Sequence, residues 1–350
     1  MDQPPNDPWL DALVVSLLLA SVAAWCAVIG RWRRRGAVLD YEPRLPVPWG
    51  AAVALLAVVF VAISLLSSVG VEASQEPSEP MSLLEASQRL MGIILFQTVV
   101  IGVVVFAVAV AYRASLRDFG LPEFAHEMAH DVAIGVVACL VALAPVYGIQ
   151  MLLLELFGPS HHPLVELVTS GEPNVGIVFL ATIAAVVIAP ISEEILFRLL
   201  LQGWLEKWEG GRLAWRGDSI PELSVGDEAP LAEGSEQQNG EARMTNDEFG
   251  GREDSSFVIR HSSFSPPVDP PPRGLAGLPY GWAPILISSL LFAAAHYGYG
   301  PDPVPIFFLA IILGYVYQRT HRITPCIVAH ALFNSLAMLV LWWTVFFHVE

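Results

Sequence analysis

Glu193, Glu194 and Arg198 lie in APISEEILFRLLLQGW, His296 in SSLLFAAAHYGYGP, and His330 and Asn334 in TPCIVAHALFNSL, so six polar side chains stand in three apolar surroundings. A charged side chain at membrane depth costs about 2.5 to 3.5 kcal/mol, and its presence calls for a compensating role. Residues four apart share a helix face, which places Glu194 and Arg198 to pair and partly neutralise one another. Glu193 points about 100° away from its neighbour and is left to accept and return a proton. Pro190 removes a backbone hydrogen bond three residues earlier and could open a polar cavity there. Phe292 and His296 again lie four apart, with the small Ala293, Ala294 and Ala295 between them allowing close helix packing. His330 and Asn334 are four apart as well, and two such side chains one turn apart can hold a water, a metal or an oxyanion. A lone intramembrane His, or a Glu/Arg pair, is more often structural. Together, a carboxylate, two imidazoles and an amide on three segments are the ingredients for activating water against a carbonyl.

The elements that must position these residues are membrane spans. Of 350 residues 54% are hydrophobic and 15% charged, too apolar for an ordinary soluble domain. Eight runs contain no Asp, Glu, Lys or Arg: 12–30, 45–71, 90–112, 132–154, 174–192, 274–301, 303–318 and 323–349, together 182 residues. About 20 apolar residues cross a hydrocarbon core of roughly 30 Å, so the expected fold is all-α, a polytopic membrane protein with a bundle of about eight transmembrane helices. The 303–318 run is short, yet Arg319, His321 and Arg322 follow it at once, as a crossing requires.

Lys and Arg between spans set orientation. Arg31, Arg33, Arg34, Arg35 and Arg44 follow the first run, Arg113 and Arg117 the third, Lys207, Arg212 and Arg216 the fifth, and Arg319 and Arg322 the seventh. The opposite connections hold Arg89 alone. This pattern predicts cytoplasmic odd-to-even connections and both termini outside, in the cell (plasma) membrane. The acidic N-terminus MDQPPNDPWLD lacks the positive charge of a secretory signal, so the first run is read as a retained span.

Net charge is −16, and the segment 209–273 contributes −7 of it from 13 acidic residues and 6 Arg. The acidity is therefore largely local, and nucleic acid is not an expected partner. Rich in Glu, Gly, Ser and Pro, this segment is expected to be a disordered cytoplasmic insert. The expected domains are an N-terminal membrane region 1–130 with three spans, a catalytic core 131–208 with 274–348, and the insert 209–273. Ser115–His130 is expected to form a short cytoplasmic helix whose His126 and His130, four apart with Glu127 after the first, resemble the HExxH zinc motif in HEMAH; two His at that spacing on a surface helix are more often a polar face than a metal site. Cys26, Cys139 and Cys326 lie in apolar runs without CxxC spacing and read as small buried hydrophobes.

The three motifs in order, Glu193-Glu194-Ile195-Leu196-Phe197-Arg198, Phe292-Ala293-Ala294-Ala295-His296 and His330-Ala331-Leu332-Phe333-Asn334, resemble those of the CAAX prenyl protease and bacteriocin-processing (Abi) intramembrane proteases, which include the type II CAAX prenyl endopeptidase. The likeness covers roughly 175–345. It implies an eight-helix protease whose site lines an intramembrane cavity. Glu193 would be the general base assisted by His296, His330 and Asn334 would stabilise the oxyanion or help hold a metal, and Glu194, Arg198 and Phe292 would support them. Glu193, His296 and His330 suit Zn2+ as ligands as well as they suit direct action on water, and the residues leave both open. Leu199 stands where family members commonly carry Gly and is expected to crowd that helix face.

Depth sets a condition on this assembly. At about 1.5 Å per residue His330 lies about 10 Å from the start of its span, and His296 about 23 Å from Gly281, so one shared site requires the sixth span to enter late or be broken. The resulting expectation is an endopeptidase that cuts a peptide or membrane-protein substrate, prenylated or not, in a site opening toward the cytoplasm. A non-catalytic binder or chaperone of membrane proteins on the same fold is the second class. A transporter is the third, and it predicts repeat symmetry that the sequence does not display.

Overall fold

The computed structural model describes residues 8–43, 45–72, 82–158, 163–169, 173–215, 278–298 and 300–347. The chain divides into two units, and the smaller, Pro221–Asp269, lies outside the described residues together with nearly all of the segment read as an insert. All regular structure among the described residues is helical: α1 (Pro8–Arg35), α2 (Ala51–Glu72), α3 (Leu83–Tyr112), α4 (Ala125–Phe157), α5 (Pro163–Thr169), α6 (Val175–Ile183), α7 (Ala189–Glu194), α8 (Gly203–Trp215), α9 (Ala283–Ala294), α10 (Pro303–Thr320) and α11 (Thr324–Phe347). Two π-helical segments, Ala184–Ile188 and Ile195–Gln202, join α6, α7 and α8 into one interrupted rod.

Among the described residues six helical stretches are long and apolar enough to cross a membrane, and two further apolar helices, Ala51–Leu66 and Ala283–Ala294, are shorter. The chain is thus a polytopic helical membrane protein. Three expectations are corrected. Among the described residues of the run 274–301 the α-helix covers only the 12 residues of α9, about 18 Å at 1.5 Å per residue, because Gly281 before it and Gly298 and Gly300 after it turn at positive φ. HEMAH is no separate helix; Ala125 begins α4, which runs on for 33 residues, so His126 and His130 sit in its exposed first turns. The fifth span does not end near 192 but continues as a helical rod to Arg212, which carries EExxxR into its middle.

Small residues set the closest helix approach. A Cβ on Gly135 of α4 would stand 2.7 Å from the Val328 side chain and 2.8 Å from the Pro325 carbonyl of α11, so these two helices meet backbone to side chain. Around that contact Ala138, Ala142 and Val146 of α4 pack with Leu309 and Leu313 of α10 and with Cys326 and Ala329 of α11. Cys139 and Cys326 are buried, whereas Cys26 is exposed on α1, against the expectation for it. The α1–α2 connection is drawn over one end of the bundle. Lys207 Nζ donates to the carbonyls of Val47 (2.9 Å) and Trp49 (3.0 Å), Trp49 Nε1 donates to the Leu200 carbonyl at 3.2 Å, and Arg319 donates to the Leu39 carbonyl. Arg322, in the α10–α11 turn, meets Glu42 at 2.9 Å, Asp131 at 3.3 Å and Glu127 at 3.6 Å. Burial works against its charge, yet the hydrogen bond and charge of Glu42, with Asp131 and Glu127, carry the guanidinium above its ordinary pKa. Leu199, expected to crowd its helix face, is buried in a cluster with Trp49, Val53, Phe119 and Ile323.

Candidate active site

The site begins with a backbone defect. In the first π segment the Ala189 N–H donates to the Ala184 carbonyl, one residue further back than in an α-helix. The next carbonyl, that of Ala185, would by the same pattern accept from residue 190, and Pro190 has no N–H. Asn334 of α11 fills that gap, its Nδ2 donating to the Ala185 carbonyl at 2.8 Å. Ala185 is half-buried, and a carbonyl kept from water without a partner costs about 1 to 3 kcal/mol, so this contact ties α11 to the interrupted rod.

One turn before Asn334, His330 stands against both glutamates. Its Nδ1 is 2.9 Å from Glu194 Oε1, and its Nε2 is 3.8 Å from Glu193 Oε2, an ion-pair distance longer than a hydrogen bond. The second oxygen of Glu194 faces Arg198 Nε at 3.3 Å, and both of these side chains are wholly buried. With Arg198 beside it, Glu194 is an acceptor, so His330 donates from Nδ1 and turns Nε2 toward Glu193. Glu193 is the more open carboxylate, at 15% side-chain exposure against none for Glu194. The expected Glu194–Arg198 pair is therefore present, and Glu194 also orients the imidazole, a duty its spacing alone did not disclose.

Phe292 is the hub that brings α9 to this group. Its ring lies 5.1 Å from that of His296 and 5.7 Å from that of His330, and the Arg198 guanidinium stands 5.1 Å over it. His296 follows the end of α9, and its Nδ1 donates to the Phe292 carbonyl at 2.8 Å, which leaves Nε2 as the basic atom. Broken after Ala294, α9 ends at the site, and Cys326 Sγ meets the Leu313 carbonyl at 3.4 Å, so α11 is already level with the middle of α10 when His330 is still four residues ahead.

Three residues that sequence reasoning missed extend the polar group. Ser288 of α9 accepts from Arg198 Nη1 at 3.5 Å and donates to Gln202 Oε1 at 3.1 Å. Gln202 Nε2 donates to Glu206 Oε1 at 3.0 Å and to the Gly314 carbonyl at 2.8 Å. A signal was present: Glu194, Arg198, Gln202 and Glu206 recur every four residues. In a pure α-helix each step of four drifts by about 40°, and the wider π turn between them offsets that drift, so the stripe stays on one face.

Among the described residues no group of three or more His, Cys, Asp or Glu side chains is placed to hold a metal ion. The roles given to Glu193, His296 and His330 below are those of the side chains alone.

The fold and this constellation define an integral membrane protein with carboxylate and imidazole groups gathered inside its bundle. Residues 175–220 and 272–336, just under a third of the chain, match the family described as type II CAAX prenyl endopeptidase Rce1-like. The match falls on the stretch that carries the three motifs, which are similar to those of the CAAX prenyl protease family. No curated protein and no solved structure matches the chain.

Proposed function

We propose that this protein is an intramembrane endopeptidase that hydrolyses a peptide bond of a membrane-associated peptide or protein, with Glu193 as general base. The observation that carries this reading is the convergence of both glutamates on one imidazole, with Nδ1 of His330 at 2.9 Å from Glu194 and Nε2 at 3.8 Å from Glu193. Glu193 takes a proton from water and the water oxygen attacks the substrate carbonyl carbon. His330, its ring held through Nδ1, offers Nε2 to the same space, and the basic Nε2 of His296 assists. Collapse of the tetrahedral adduct breaks the C–N bond, and the proton held by Glu193 passes to the departing amine. Asn334 spends one N–H on Ala185 and has a second for the oxyanion.

The family match supports one substrate class among the membrane-associated peptides and proteins, a protein whose prenylated Cys lies near its C-terminus, its lipid in the bilayer and its peptide at the site. The catalytic core is 131–208 with 274–348, the region 1–130 flanks it, and 209–273 is an insert on the cytoplasmic side. The protein sits in the plasma membrane with both termini outside and its site opening toward the cytoplasm. Support comes from the basic connections: Lys207, Arg319 and Arg322 all bond the α1–α2 connection, so the Arg-rich loops lie together at one end.

The test is cleavage of prenylated C-terminal peptides by purified protein, with unprenylated and internal peptides alongside. Glu193→Gln and His330→Ala are expected to lose at least about a hundredfold in kcat, the scale of general-base catalysis. No cleavage of any peptide by folded wild-type protein would overturn the peptidase reading in favour of a binding role.

A further inference from the structure

Behind the glutamates and imidazole, a second tier of polar side chains continues away from the reacting space, and the reaction has no chemical use for it. Ser288, Gln202, Glu206 and His321 are all buried, at 4% exposure or less, in a bundle where each such group must find a partner. Gln202 spends both Nε2 donors and its Oε1 acceptor on fixed partners, on Glu206, the Gly314 carbonyl and the Ser288 hydroxyl. Those partners belong to three elements, the interrupted rod, α9 and α10. Glu206 in turn meets His321 Nε2 at 3.3 Å, and His321 Nδ1 donates to the Glu42 carbonyl at 2.7 Å, which ties the tier to the α1–α2 connection.

Space is reserved for this arrangement. A Cβ on Gly314 would lie 3.0 Å from Gln202 Oε1 and 3.0 Å from Ile285 Cγ2, so α10 carries no side chain where the amide enters. Ser288 takes a hydrogen bond from Arg198, and Arg198 is the ion that pairs with Glu194. The same serine lies one turn before Phe292 on α9, and Phe292 touches the His296 and His330 rings.

We propose that Gln202 and Glu206 are positioning residues for the hydrolysis: by fixing Ser288 they set the direction of Arg198 and the rotation of α9, and through these the Glu194–His330 pair and the His296 ring. This rests on the peptidase reading. Catalytic geometry tolerates little, since a misplacement of about 1 Å costs up to about 100-fold in rate, whereas substrate binding by lipid and peptide contacts does not pass through this tier.

The experiment uses full-length protein in detergent and four variants. Gln202→Met keeps the side chain's length and removes all three hydrogen bonds. Gly314→Ala displaces the same amide from the neighbouring helix without altering a polar group. Glu206→Gln keeps an acceptor for Gln202 and removes the charge facing His321. Gln150→Met, the control, breaks a half-buried hydrogen bond to Asp302 that lies outside the site. Gln202→Met and Gly314→Ala are expected to lower kcat about tenfold with KM within about twofold, Glu206→Gln to lower it about threefold, and Gln150→Met to leave it unchanged. The 15N resonances of the His330 imidazole, assigned by their loss in His330→Gln, are expected to move in the first two variants and not in the control. Unchanged kcat and unmoved His330 resonances in folded Gln202→Met would overturn the proposal, as would an equal loss of kcat in Gln150→Met. If wild-type protein cleaves nothing, the peptidase reading fails, and the His330 resonances still decide whether the tier positions that ring.

Discussion

The rod formed by α6, α7 and α8 and the helix α3 are both long and apolar, yet they solve the membrane problem differently. α3 spans 30 residues in unbroken α-helix, opens with a capping box between Ser82 and Glu85, and buries only 6% of its most apolar window. Its backbone is satisfied internally, so it shows Phe96, Val103 and Phe106 outward to lipid and asks little of its neighbours. The rod is interrupted twice, buries 33% of its window, and carries Glu193, Glu194, Arg198, Gln202 and Glu206. Its carbonyl at Ala185 and its charges at Glu194 and Arg198 depend on α9 and α11 for partners. A regular helix can stand alone in lipid, while an irregular one is held in its shape by the groups that complete it, and those are the groups gathered at the candidate site.

Substitutions in the two regions should therefore differ steeply. Glu194→Gln is expected to do the most damage: it keeps the shape but leaves the buried Arg198 without its counter-charge, a loss of about 3 to 5 kcal/mol that thermal unfolding in detergent would register along with lost activity. Asn334→Leu comes next, leaving the Ala185 carbonyl without its donor at about 1 to 3 kcal/mol and lowering the unfolding temperature even in protein that is never given substrate. On α3, Phe106→Ala should sit within about 0.5 kcal/mol of wild type and cleave peptides at an unchanged rate, because that ring is 70% exposed toward lipid. A Phe106→Ala protein as damaged as Asn334→Leu would erase the contrast between the two regions.

Much of this could be read in the sequence. Eight charge-free runs foretold the helices, and the order of EExxxR, FxxxH and HxxxN brought Glu193, Glu194, Arg198, Phe292, His296, His330 and Asn334 together before any coordinates. The π segments were hidden because hydrophobic periodicity averages over them, and the length of α9 was hidden because Gly281 and Gly298 sit within one apolar run that reads as continuous. The partnership of Asn334 with Ala185 depends on which carbonyl Pro190 releases, a matter of backbone register, and the dual role of Glu194 depends on a helix 136 residues away. Gln202 and Glu206 were legible only as a period of four, which a regular helix would not keep on one face.

The central claim, that Glu193 activates water for peptide hydrolysis, is tested most directly by incubating wild-type and Glu193→Gln protein with a prenylated C-terminal peptide in 18O-labelled water and weighing the products. The expected result is cleavage by the wild type with one 18O in the new C-terminal carboxylate, and a loss of at least about a hundredfold in folded Glu193→Gln. Cleavage by Glu193→Gln within about threefold of the wild-type rate would contradict it.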